Sequence, residues 1–257
     1  MNLHKKTSNS VLPWTITGLL IAVLGGIIFI SSGYGYQRDM WHLYTAMRFF
    51  VAGAVVAGLG LLVCGAGLLI NKGNYNRRNL SAAIGGIIIG MAVVSTFFYF
   101  FAESRIDPPI HDITTDTTDP PQFDVVSTLR NKDSNPCTYG GKTVAKQQEK
   151  AYPYVKPLLL DMSFENAFHN ALIVARSLKR WKIVNSNATA GKIEATTTSS
   201  WFGLKEDIVV RISAIDPSRS KIDVRSEYRI GVNDLGTNAR RIHNYLALVK
   251  KESFDRD

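Results

Sequence analysis

LSAAIGGIIIGMAVVSTFFYFFA, residues 80–102, runs for 23 residues without a charge. At about 1.5 Å per residue, a helix of that length crosses a hydrocarbon core of about 30 Å. The stretch divides the chain. Upstream of it the sequence is mostly lipid-soluble, and downstream it has the mixed character of a globular domain. The side of the membrane on which the stretch ends sets the compartment of everything downstream.

Two further apolar runs lie upstream, at about 12–30 and 46–70. The first comes after a short basic segment, as in a secretory signal. It is longer than a signal core of about 7–15 residues and lacks a small-x-small cleavage site, so a retained anchor is expected. Residues 31–45 read as a loop, with Tyr34, Tyr36, Trp41 and Tyr44 suited to a headgroup interface. Small residues recur every four positions at Ala82, Gly86 and Gly90, and at Gly53 and Ala57. Such stripes let helices approach closely, within one bundle or between copies as a homo-oligomer. No span carries Asp, Glu, Lys or Arg near its middle, which disfavours a transporter.

The net charge of +9 is uneven. The first 102 residues hold seven Lys/Arg against Asp39 alone, while the remainder holds 23 against 20 acids. Basic excess beside spans is a topology signal rather than a nucleic-acid footprint. Lys5, Lys6, Lys72, Arg77 and Arg78 fall on one side, against Arg38 and the marginal Arg48 on the other. The richer side is read as cytoplasmic. Three spans then carry the C-terminal part out, to the periplasm of a Gram-negative cell or the extracytoplasmic side otherwise.

Residues 103–154 are read as an extended linker and strip packed on the C-terminal domain. Pro108, Pro109, Pro120 and Pro121 forbid a long helix early in it, and a short helix is expected at 143–150. Residues 155–257 are read as an α+β domain. A strand at 155–161 precedes a helix capped by Ser163 and running to about 180. Four strands come next, at 181–186, 192–200, 207–215 and 221–230, then a helix from about 234 to 250. Short links imply an antiparallel sheet, with both amphipathic helices on one face.

Three pieces, PPIHDITTDTTDPPQF at 108–123, GKIEATTTSSWFGLKEDIVVRI at 191–212 and KIDVRSEYRIGVNDLGTNARRIHNYL at 221–246, carry a resemblance. Residues 108–248 resemble the bacterial domain of unknown function 1499 family, whose members commonly sit behind an N-terminal membrane region. The resemblance implies a fold and an envelope setting, and no activity. Its recurrent positions fall on His111, Asp112, Asp116, Trp201, Phe202, Asp207, Arg225, Arg229, Asp234, Asn238 and Arg241, among others.

Alternation puts Lys221, Asp223, Arg225, Glu227 and Arg229 on the outward face of the last strand, shared with Arg211 and Glu194. Arginines there can bind an anion or headgroup, form cross-strand ion pairs, or receive the acidic strip Asp112, Asp116 and Asp119. His111, Asp112 and Asp116 are a candidate polar site whose spacing matches no strong metal motif. Trp201 and Phe202, in a hairpin, are candidates for a bilayer or partner contact, or for capping the core. Cys64 and Cys137 are expected to stay unpaired. No GxSxG, HExxH, P-loop or GxGxxG motif occurs in its required context, and no cofactor or metal is implied. The expected role is a membrane-anchored binding module of the envelope, with the bilayer and a protein or lipid-like molecule as partners. The alternatives are a hydrolase using His111, Asp112 and Asp116, and a structural subunit of a membrane complex.

Overall fold

The computed structural model describes residues 12–70 and 76–254. The basic positions Lys5, Lys6 and Lys72 lie outside those residues. The chain divides into two compact units, 1–102 with Trp201–Gly203, and 103–200 with 204–257.

The first unit is built on helices α1 (Leu12–Gln37), α2 (Leu43–Ile70) and α3 (Arg77–Ile106). All three are long and apolar enough to cross a membrane. Each is longer than its apolar run. Residues 31–37, expected as loop, continue α1, because backbone hydrogen bonding propagates beyond the point where lipid solubility stops. Likewise α3 continues through Glu103 and Arg105. The small residues face their neighbours. A methyl group added at Gly25 would clash with the Ala57 backbone, and one at Gly53 with that of Phe29. One at Gly86 would meet the Cys64 sulfur and Leu19. The stripes thus serve close packing within this unit. Trp201 belongs to the unit by its contacts. Its indole N–H donates to the Ile30 carbonyl at 3.0 Å, and its ring centre lies 5.2 Å from that of Phe29.

The second unit is an α+β domain. An antiparallel sheet runs in the order β1 (Asp112–Thr114), β6 (Arg219–Tyr228), β5 (Lys205–Asp216), β4 (Lys192–Thr198), β3 (Lys182–Asn187). β2 (Leu158–Leu160) pairs with the other end of β6's outer edge, opposite Ile222–Ser220. The expected strand at 155–161 is thus only three residues long. β1 arises inside the stretch read as linker, which contributes a strand to the sheet rather than merely lying on it.

Helices α6 (Phe164–Ser177) and α7 (Thr237–Phe254) cover one face. Ser163 caps α6, its hydroxyl accepting from the Asn166 amide at 3.4 Å. The core joins Ile208, Val210, Ile212, Ile222 and Val224 of the sheet to Phe168, Ala171 and Val174 of α6 and Ile242, Tyr245 and Val249 of α7. Each Ile, Val or Phe among them contributes roughly 1.5–3 kcal/mol on burial. Gly191 closes the β3–β4 turn at φ +61°, in the left-handed region that favours glycine.

Two elements were not expected: α4 (Val125–Thr128), and the full extent of α5 (Gly141–Ala151). α5 supplies Gln148, whose buried amide accepts from the Thr114 N–H at 2.9 Å and donates to the Thr114 carbonyl at 2.6 Å. One side chain thus completes the outer edge of β1 as a neighbouring strand would.

Candidate functional site

The sheet face away from the helices is polar and covered by residues 115–139, hereafter the strap. Pairing register makes the face unusual. Asp112 on β1 stands opposite Glu227 on β6, and Glu227 stands opposite Asp207 on β5. Three buried carboxylates therefore lie in one row across three strands. Like charges directly opposite destabilise a sheet, so the row requires cations.

Three arginines supply them. Arg225, wholly buried, grips Asp112 with two bonds of 2.9 and 2.8 Å. Its remaining donors reach the Pro121 carbonyl at 3.2 Å and the Cys137 carbonyl at 2.7 Å, both on the strap. Arg229 grips Asp207 with two bonds of 2.8 Å. Arg130, from the strap, bridges the other two acids, donating to Asp207 at 2.8 Å and to Glu227 at 3.1 and 3.0 Å. The Phe123 ring lies between two of these cations, its centre 4.8 Å from the Arg225 guanidinium carbon and 5.1 Å from that of Arg130.

Two more anchors hold the strap. The buried Glu194 carboxylate accepts the backbone N–H groups of Asp124, Val125 and Val126, where α4 begins. Arg211 binds Asp119 at 2.8 Å and Asp223 at 3.0 Å, with Asp116 at 3.5 Å. The acidic strip therefore lies on the arginine face, with Asp112 on Arg225, and Asp116 and Asp119 on Arg211. Of the three readings of this face, the geometry combines internal docking of the strip with cross-strand ion pairs, Arg211 with Asp223 and Arg229 with Asp207.

A second polar cluster fixes the start of α7. Asp234 accepts the Gly236 and Asn238 amides, both at 3.0 Å. Asn238 donates to the His111 carbonyl at 3.0 Å and accepts from the Ser226 hydroxyl at 2.7 Å. Arg241 bonds Ser226 at 2.9 Å and pairs with the buried Glu206. Burial raises the Glu206 carboxyl despite Arg241. It also raises Glu227 well above the usual carboxylate range, against the bonds from Arg130, and the nearby Asp112 adds to the effect. Burial pushes Asp234 up to about 6, against its two amide bonds.

A carboxyl whose pKa is higher folded than unfolded holds its proton more tightly in the fold. Its stabilising contribution is complete below the unfolded value and is lost as pH rises through the folded one. For Asp234 that window runs from the ordinary 3.8 to about 6. Between pH 4.5 and 7.5, wild type should lose about 1–2 kcal/mol more stability than Asp234→Asn, which keeps a capping oxygen without titrating. Thermal unfolding of the full chain in detergent at the two pH values measures it. Equal losses in the two proteins would refute the assignment.

A family model described as "Protein of unknown function (DUF1499)" matches residues 112–249, more than half of the chain. The chain belongs to the DUF1499 family. The DUF1499 match begins at the Arg225 partner Asp112 and ends in α7, so it takes in the strap, the sheet and both covering helices. Neither the curated proteins nor the solved structures contain a significant match.

The residues singled out from sequence fall into three places. Asp112, Arg211, Arg225 and Arg229 come together under the strap, which brings Asp116 down onto Arg211. His111 lies beside them, and its imidazole is half-buried, which lowers its pKa and favours the neutral ring. Trp201 and Phe202 stand apart, in the first unit. Cys64 and Cys137 are both free. Among the described residues no group of three His, Cys, Asp or Glu is arranged to hold a metal ion. Sequence reasoning missed Arg130 as a site residue, because it lies in an irregular segment with no periodicity to give it a face.

Proposed function

We propose that this DUF1499 chain is a membrane-anchored binding module whose α+β domain works on the extracytoplasmic side, in envelope assembly or maintenance. The observation that carries this reading is the strap network. Asp112 is held by Arg225 and Asp116 by Arg211 and Lys221, so the carboxylates a His/Asp hydrolase would draw on are committed to holding the domain together. A domain whose buried charges are paired internally, in a chain with three membrane-length helices, suits presentation of a surface to a partner. The compartment is inferred from the basic residues flanking the spans.

Two measurements test it. Alkaline phosphatase fused after Asp257 should be active, and a reporter that works only in the cytoplasm should be inactive at the same position. The reverse pattern overturns the orientation. Pulldown from native membranes, with mass spectrometry, should recover envelope components dependent on the α+β domain. Hydrolytic turnover lost on Asp112→Asn in a protein that still folds would favour the enzyme instead.

A further inference from the structure

We propose that the loop 231–236 of the α+β domain meets the lipid headgroup layer, with Val232 seated in it. This goes beyond the binding-module reading and holds on whichever side of the membrane the domain lies. Ile106 and Val232 are 79% and 73% exposed, the two most exposed large apolar side chains among the described residues of the second unit. Scattered singly, such residues are ordinary on a protein surface. Here they are held together. Asn233, next to Val232, donates from its side chain to the carbonyl of Asp107, next to Ile106, at 3.4 Å. The Asp234 amide donates to the Ile110 carbonyl at 3.2 Å. Arg240 ties the same loop to the last turn of α3, donating to the Leu235 carbonyl at 2.6 Å and standing 4.0 Å from Glu103.

Chain connectivity identifies the occupant. Ile106 is the last residue of α3, which continues unbroken from the uncharged run ending at Ala102. Those four residues of helix advance about 6 Å, at about 1.5 Å each. The headgroup layer on either side of the hydrocarbon core is about 5–7 Å deep, so Ile106 ends at its level. The Asn233 bond to Asp107 keeps Val232 beside it. An exposed Val or Ile gains by leaving water, and the upper acyl layer is the nearest apolar medium. A second copy docked on these two side chains would bury far less than the roughly 1,000 Å² of a stable interface.

The test uses the full chain in phosphatidylcholine liposomes. Cys137→Ala leaves Cys64, which is buried, as the only native thiol. Val232→Cys, Ile106→Cys and Ser218→Cys are then each labelled with an environment-sensitive fluorophore, Ser218 lying in the exposed turn between β5 and β6. A nitroxide on the lipid headgroup should quench the labels at 106 and 232 severalfold more than the label at 218. The unmodified chain, irradiated with a phosphatidylcholine that bears a diazirine close to its glycerol, should gain adducts within 231–236. Quenching at 232 no stronger than at 218 overturns the proposal, as does an absence of adducts in 231–236. A label at 232 that is blue-shifted yet untouched by the nitroxide also overturns it, because protein rather than lipid would then cover the loop.

Discussion

Replacing Arg225 with alanine lowers the stability of the α+β domain by about 3–5 kcal/mol, the cost of stranding a buried charge. The guanidinium is wholly buried, and its donors serve Asp112 and two strap carbonyls. Without it, Asp112 stays buried, opposite Glu227, with no counter-ion in contact. Phe123 also loses one of its two cations. The double variant Asp112→Ala with Arg225→Ala should recover part of the loss, because it removes the stranded charge, with a coupling of about 0.5–3 kcal/mol. Denaturant unfolding followed by tryptophan fluorescence measures both. Limited proteolysis should cut the single variant faster around Thr114. A loss below about 1 kcal/mol, typical of a surface ion pair, would show that the strap does not depend on Arg225.

Gly53→Leu should break the packing of α1 against α2. A side chain there has nowhere to go, since a Cβ would meet the backbone nitrogen and Cα of Phe29. Backbone cannot yield as a flexible side chain can, so the helices must separate. Overpacking costs typically 1–3 kcal/mol, and more where backbone must shift. Gly65→Leu on the same helix is the control, for a Cβ there meets nothing within 4 Å. The melting temperature of the full chain in detergent reports the packing. It should stay near that of wild type in Gly65→Leu and fall clearly in Gly53→Leu. Equal melting temperatures in the two variants would refute the close approach.

The α+β fold was legible because its signals are local. Ile208, Val210 and Ile212 alternate in β5, and Phe168, Ala171 and Ala175 recur at helical spacing in α6. The outward arginines were legible through the same alternation. The strap was not legible in detail. Its extended stretch has no period, its prolines only exclude helix, and Asp112–Thr114 becomes a strand because β6 offers an edge to it. Arg130 carries no local mark of its role. It matters because register sets Glu227 beside Asp207, a fact of pairing between residues 20 apart in sequence.

The sequence by itself determined three membrane-length apolar helices, an antiparallel sheet with two helices on one face, and the shared sheet face of Arg211, Arg225 and Arg229, but not their burial. Length, periodicity and alternation are properties of neighbouring residues, and the chain carries them unfolded. The tertiary structure alone decided that Asp112, Glu227 and Asp207 form one row, and that Arg130, Arg225 and Arg229 neutralise it. It also decided that Gln148 completes the edge of β1. Those outcomes depend on which strands pair, in which register, and on what the strap can reach. They arise from electrostatics between distant residues, for which the linear order holds no distance.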